Sequence, residues 1–225
     1  MAEIKVECYI RHCTDTTIQR QNNEWIAYKA VKLVKGETIN GSFNFQVRGI
    51  TSAVTTGNAA HFIREVCAQF GSRIRIKYGG GVTIVPVPNS DGLVSSSKGF
   101  RTYELAQHIA KIAGCEASDV LRWKSALGKA HKGEKLRDAD AHRSALKVMR
   151  VIDRPIVLFD DVITSGSQMY GSKLMLEAAG MNVVGMFAVA EVLDRGERSD
   201  APGWRTAVRN PFSMVDFLRL QQGLL

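Results

Sequence analysis

Apolar and polar residues alternate near the start of the chain, where Ile4, Val6, Cys8 and Ile10 interleave with Lys5, Glu7, Tyr9 and Arg11, the period of a half-buried strand. A second β stretch is predicted near Trp25 to Val34. After the Asn40-Gly41 dipeptide, Phe43, Phe45 and Val47 alternate with polar neighbours again, so a turn leading into another strand is expected. This opening portion therefore reads as a small β meander.

From Asn58 the period becomes helical, with Phe62, Ile63, Val66, Cys67 and Phe70 at spacings of three and four and Gly71 as a stop. A strand is predicted over Val82 to Val87, then a polar loop from Asn89 to Lys98 and a helix from about Arg101 to Ala113. A helix or turn near Ser118 to Arg122, a basic loop and a short helix near Ala141 to Met149 precede an apolar strand, Ile156 to Phe159. A helix from Met169 to Ala179 ends at Gly180, and a strand from Asn182 to Val192 follows. Beyond Leu193 the tail reads as irregular until Phe212 to Leu220.

Strands alternating with helices imply right-handed crossovers, hence an α/β fold whose largely parallel open sheet carries helices on both faces. The expected division is an N-terminal β cap over residues 1–56, an α/β core over 57–195 and a tail over 196–225. Cap and tail are the parts from which a hood over the core would come.

Hydrophobic residues make up 45% and charged residues 23% of the 225 positions, which fits a folded globular chain and excludes a disordered one. Neither a secretory leader nor an apolar run of about 20 residues is visible, so a cytoplasmic protein without membrane spans is expected. Cys8, Cys13, Cys67 and Cys115 show no C-x-x-C spacing, which argues for free thiols rather than a zinc or redox site. The formal charge is +8, and residues 111–150 contribute ten bases against five acids, or +5 of it. Such a surplus suits any phosphate-bearing partner.

The run most informative about chemistry is Ile156-Val157-Leu158-Phe159-Asp160-Asp161-Val162-Ile163-Thr164-Ser165-Gly166-Ser167-Gln168. A buried strand ends in two carboxylates, turns through small hydroxyl residues and glycine, and enters a helix. Ligands of open α/β sheets bind at that edge, and a helix start offers unpaired amides to an anion. The plainer alternative, that Asp161, Thr164 and Ser165 merely cap the next helix, accounts for each residue singly but not for the whole arrangement.

This run resembles the signature with which type I phosphoribosyltransferases bind 5-phosphoribosyl-1-pyrophosphate (PRPP). The resemblance implies that Val162, Ile163, Thr164, Ser165, Gly166 and Ser167 hold the 5-phosphate, while Asp160 and Asp161 meet the ribose hydroxyls and, through water, Mg²⁺. Upstream, Ile84-Val85-Pro86-Val87-Pro88-Asn89-Ser90 followed by Lys98-Gly99-Phe100-Arg101 is similar to the ComF-type branch, and assigns Asn89, Ser90 and Lys98 to the pyrophosphate. The basic stretch occupies the place of that family's flexible loop, with Lys135 and Arg137 as catalytic cations and His142 and Arg143 as further loop candidates.

The expected activity is Mg²⁺-dependent transfer of phosphoribosyl to a nitrogen acceptor, a nucleobase or related heterocycle, with release of pyrophosphate. Homodimers are frequent in the resembled family. The rival reading is a PRPP-sensing or nucleic-acid-binding protein, which needs a second basic surface away from the phosphate site. Trp204 is a candidate stacking partner for the acceptor.

Overall fold

The computed structural model describes residues 3–47, 50–125, 138–214 and 218. In chain order the elements are β1 (Ile4–His12), α1 (Asn22–Val34), β2 (Phe43–Val47), β3 (Ile50–Val54), a 3-10 turn (Thr56–Asn58), α2 (Ala59–Tyr78), β4 (Thr83–Pro86) and α3 (Arg101–Ala113). There follow β5 (Glu116–Ala117), β6 (Leu121–Trp123), α4 (Ala139–Ala145), β7 (Leu146–Val148), β8 (Ile156–Ile163), α5 (Ser167–Ala178), β9 (Val183–Val192) and β10 (Arg205–Arg209).

Six strands form the central sheet in the order β10-β1-β9-β8-β4-β5. Every pairing in it is parallel except the one between β1 and β10. The apolar run that opens β8 feeds both faces, as a strand buried on each side must. Val157 and Phe159 pack into a core shared with α1, α2 and α3, whereas Ile156 and Leu158 join Met169, Tyr170 and Leu176 of α5. The expected α/β architecture with helices on both faces is what the chain forms.

Several local expectations are corrected. The N-terminal portion is not an all-β cap set apart from the core, because β1 lies inside the central sheet between β9 and β10. Flanked on both sides, β1 buries Val6, Glu7 and Cys8 in succession instead of alternating. The predicted strand at Trp25 to Val34 is helix α1. Its buried Ala27, Ala30, Val31 and Val34 follow a helical period, and the Glu24 carboxylate accepts the Gln21 N–H at 2.9 Å to cap the helix start. The strand expected after Asn40-Gly41 forms as β2, and it pairs antiparallel with β3, a strand not among those expected.

Gly71 does not stop α2, which runs on to Tyr78. An added Cβ at Gly71 would lie 2.7 Å from Ile112 Cβ and 2.8 Å from the Ile109 carbonyl, so the glycine serves the close approach of α2 to α3. The segment near Ser118 to Arg122 ends in strand β6, and the helix near Ala141 stops at Ala145, where β7 pairs back with β6. The tail expected to be irregular contains β10, an edge strand in which Ala207 is the buried residue and which therefore shows little apolar pattern.

Candidate functional site

Strand β8 delivers Asp160 to Ile163 to the carboxyl edge of the sheet, and the chain then turns at Thr164-Ser165-Gly166 into α5. Gly166 takes φ 79°, in the left-handed region that favours glycine, and its own surroundings leave little room for a side chain. The Gly166 carbonyl accepts the Tyr170 N–H at 2.9 Å, which closes the first turn of α5. Among the described residues, the backbone N–H groups of Thr164, Ser165 and Gly166 make no hydrogen bond. Ser165 and Ser167 hydroxyls are 3.1 Å apart.

These residues line a cavity of about 250 Å³, whose walls are Asp160, the stretch from Val162 to Met169, and His142. A site of free amides, serine and threonine hydroxyls and a helix start suits an anion of phosphate size. Asp160 is buried, and one of its oxygens accepts the Asp161 N–H at 2.8 Å. Burial first, and the adjacent Asp161 second, hold the Asp160 carboxyl well above the ordinary carboxylate range. Asp161 is also raised by burial, but Lys35 and Arg101 pull it the other way. A shift in this direction weakens the charge on the pair, which eases the repulsion that two full charges would direct at a neighbouring phosphate.

Asp160 lines the cavity and Asp161 is not part of its wall. His142, expected on a flexible loop, is carried instead by helix α4, as is Arg143. The correction has a steric cause at Gly171 of α5, where an added Cβ would lie 2.6 Å from the Ala139 carbonyl and 2.9 Å from His142 Cβ. A glycine there lets α4 rest on α5 and brings His142 to the cavity, while Arg143 is not part of its wall.

Asn89, Ser90 and Lys98 lie on the loop after β4, outside the cavity wall. The loop is tethered close by, since Gln168 Nε2 and Trp123 Nε1 both donate to the Pro88 carbonyl at 2.9 Å. Asn89 Oδ1 is buried without a partner, and Ser90 and Lys98 are exposed. The shape of this loop is held by a residue the sequence reading assigned to the basic stretch. Arg122 is buried, is paired with Asp119, and donates to the carbonyls of Leu93, Ser96 and Lys98. Lys135 and Arg137 lie outside the described residues.

Other parts of the site carried no readable signal. Arg209 of β10 donates to the Thr164 carbonyl at 2.9 Å and the Val192 carbonyl at 3.0 Å and pairs with the buried Glu191, so it grips the turn from outside. Lys35, just past α1, is a neighbouring charge for both carboxylates. The half-buried Trp204 ring lies 4.7 Å from that of Phe70 and 5.3 Å from that of Tyr9, edge-on in the hydrophobic packing. Among the described residues no group of three or more His, Cys, Asp or Glu side chains converges as a metal cage. The acidic pair fits a hard divalent cation only where ligand oxygens and water complete its shell.

Fold and turn together define an α/β protein with an anion-accepting strand-to-helix turn at the carboxyl edge of a mostly parallel sheet. Among solved structures the chain is similar to a hypoxanthine phosphoribosyltransferase from Staphylococcus aureus, at 12% identity and a TM-score of 0.36, with 64% of this chain and 70% of that chain covered. It is similar also to an adenine phosphoribosyltransferase, at 15% identity and a TM-score of 0.41 over 77% of this chain and 96% of that one. A third is the UMP synthase of Leishmania donovani, at 13% identity and a TM-score of 0.35, covering 74% of this chain and 33% of that chain. These likenesses are too distant to carry a conclusion about ligand or activity, which rests on the residues of the site. No protein-family model matches the chain, and comparison with curated proteins finds no match. Among the described residues no helix is long and apolar enough to cross a membrane.

Proposed function

We propose that the protein binds PRPP at the end of β8 and transfers its phosphoribosyl group to a nitrogen acceptor, a nucleobase or related heterocycle. The observation that carries this reading is the cavity lined together by Asp160, the turn Thr164 to Gly166, whose amides make no hydrogen bond among the described residues, and the start of α5. The 5-phosphate sits among Thr164, Ser165, Gly166 and Ser167, with Val162 and Ile163 as the backbone that leads into the turn. Asp160 and Asp161 receive the ribose hydroxyls. The pyrophosphate points toward Asn89, Ser90 and Lys98, and the place of the basic stretch, that of the flexible loop in type I phosphoribosyltransferases, adds Lys135 and Arg137 as cations for it.

In the transfer, the C1–O bond to pyrophosphate breaks with its electron pair on the leaving group. The acceptor nitrogen forms the new C1–N bond and gives up its proton. The chain's own part is to hold the sugar phosphate in line, to keep water out with His142 beside the turn, and to place positive groups at the leaving oxygens. Mg²⁺, held near Asp160 and Asp161 through water, supplies neutralisation of the phosphate oxygens when bound. Two or three charge-assisted hydrogen bonds at about 1.5–3 kcal/mol each give the turn only a few kcal/mol before lost freedom is charged against them, and about 4 kcal/mol net is needed for even millimolar binding. Tight binding therefore needs the neighbouring loop and the cation as well.

The test is to incubate the protein with Mg²⁺, PRPP and pools of nitrogen heterocycles, following pyrophosphate release and product mass. An acceptor-dependent gain of a phosphoribosyl unit, lost in the double variant Asp160→Asn with Asp161→Asn, is the expected result. Failure of the wild-type protein to bind PRPP in calorimetry refutes the assignment. PRPP binding that leaves every acceptor pool untouched while altering affinity for DNA or RNA would favour the sensing role.

A further inference from the structure

Helix α1 turns away from the core a stripe that the PRPP site does not use, tied to the fold at its edge where Lys29 donates to the Ser42 carbonyl at 2.8 Å. Trp25, Tyr28, Lys29 and Lys32 recur at i, i+3, i+4 and i+7, one face of a helix and about 10 Å of its length. The opposite face is spent on the core through Ala27, Ala30, Val31 and Val34. Trp25 is 45% exposed, unlike Trp123, which is buried, and Trp204, which is packed among aromatic rings. The stripe borders a groove of about 790 Å³ whose far wall is Thr38 to Asn40.

Cations surround the two rings. The Arg20 guanidinium lies 4.4 Å from the Tyr28 ring centre and 5.2 Å from that of Trp25. Lys32 is 5.6 Å from Tyr28, and Lys29 is 6.0 Å from Trp25. Among the described residues, Arg20 Nε is buried without a hydrogen-bond partner. Glu37 offsets part of this charge outwardly, whereas Glu24 does not. Glu24 is turned inward and taken by Arg198 at 2.8 Å, and Glu37 pairs with Lys32 at 3.6 Å.

An exposed Trp25 ring, a half-buried Tyr28 ring covered by the Arg20 guanidinium, and neighbouring lysines suit a single-stranded nucleic acid, whose bases stack on rings or guanidinium planes while its phosphates meet the cations. The Trp25 and Tyr28 rings stand at 80° to each other with centres 5.8 Å apart. Successive bases would therefore be received in different planes, which a splayed single strand permits and a stacked duplex does not. We infer that the outer face of α1, built from Arg20, Trp25, Tyr28, Lys29 and Lys32, is a binding platform for single-stranded nucleic acid. It lies apart from the cavity at the end of β8, and it stands or falls independently of the PRPP assignment.

The probe is a fluorescein-labelled oligothymidylate, with an oligouridylate of the same length and the matching duplex as comparisons, titrated by anisotropy over a salt series. Both single strands are expected to bind at low salt, more tightly than the duplex, and to quench the exposed Trp25. Trp25→Ala is expected to weaken binding by about 5- to 100-fold, the loss of one stacked base. Trp25→Phe keeps a ring and should keep most of the affinity while losing the quench. Lys29→Gln with Lys32→Gln should flatten the slope of log affinity against log salt by about 1.4, at about 0.7 per cation on a single strand. Circular dichroism and melting of each variant establish that it is folded. The platform is overturned if no oligonucleotide binds at low salt, if the duplex binds as tightly, or if the folded variants bind like the wild type.

Discussion

Replacing Gly166 with alanine separates two reasons for a glycine in the turn after β8. Gly166 and Gly180 have nearly the same backbone, φ 79° and φ 81°, so alanine pays the left-handed penalty of about 1–2 kcal/mol at either position. Their surroundings differ. An added Cβ at Gly180 meets nothing within 4 Å, whereas at Gly166 it lies 3.0 Å from Arg209 Cβ and 3.0 Å from Ile4 Cδ1. The Ile4 methyl ends a side chain and can swing, but Arg209 Cβ is fixed to the backbone of β10, so the turn must yield. Gly180→Ala is expected to lower Tm by roughly 2–8 °C, at about 2–4 °C per kcal/mol for a chain of this size. Gly166→Ala is expected to cost about 1 kcal/mol more from overpacking. The same displacement of the amides should weaken PRPP by about tenfold. Differential scanning calorimetry on both variants, with isothermal titration of PRPP and Mg²⁺, measures each term. Equal melting losses together with unchanged PRPP affinity in Gly166→Ala would refute the close-packing argument.

Three further outcomes follow from the same geometry. The raised pKa of Asp160 means that its ionisation costs the fold: the carboxyl's contribution is fully present below the unfolded value of about 4 and is lost as pH rises through the folded value. Asp160→Asn should therefore raise Tm at neutral pH, lose that gain below about pH 4, and abolish PRPP binding, as melts across pH and calorimetry would show. Gly171→Ala should push α4 off α5 and destabilise by about 1–3 kcal/mol, and a Tm equal to wild type would disprove the tight contact. Glu7 meets Arg73 and Lys77, whose hydrogen bonds lower its carboxyl although burial opposes them. Its contribution is present above the ordinary value and disappears as pH falls, so Glu7→Gln should destabilise at neutral pH and converge with wild type in acid.

The parallel sheet and the β8 turn were readable because their signals are local and strong. Four apolar residues before Asp160 can only be a strand buried on both faces, and glycine between hydroxyl residues marks the turn. The masking of α1 has an equally local cause, since the β-favouring Trp25, Ile26 and Tyr28 overlie the helical spacing of Ala27, Ala30, Val31 and Val34 and the Gln21-x-x-Glu24 cap. What could not be read was long-range. Arg209 reaches Thr164 across 45 positions and Glu191 across 18, in a strand whose sequence, Arg-Thr-Ala-Val-Arg, shows no buried face because it lies at an edge. The carriage of His142 by α4 depends on Gly171, and a helical glycine announces close contact without naming its partner.

The three carbonyls that Arg122 gathers from Leu93, Ser96 and Lys98 have a bearing on how the loop after β4 can change. A loop shaped through its carbonyl oxygens is supported by groups that every residue owns, so its side chains are released from architectural duty. Substitutions of the side chains at Val94, Ser95 or Ser97 can recompose the loop's surface while the path of the chain persists. The fold thereby lodges much of this loop's scaffold in groups outside its own side chains, Arg122 first among them, and leaves those side chains free to change.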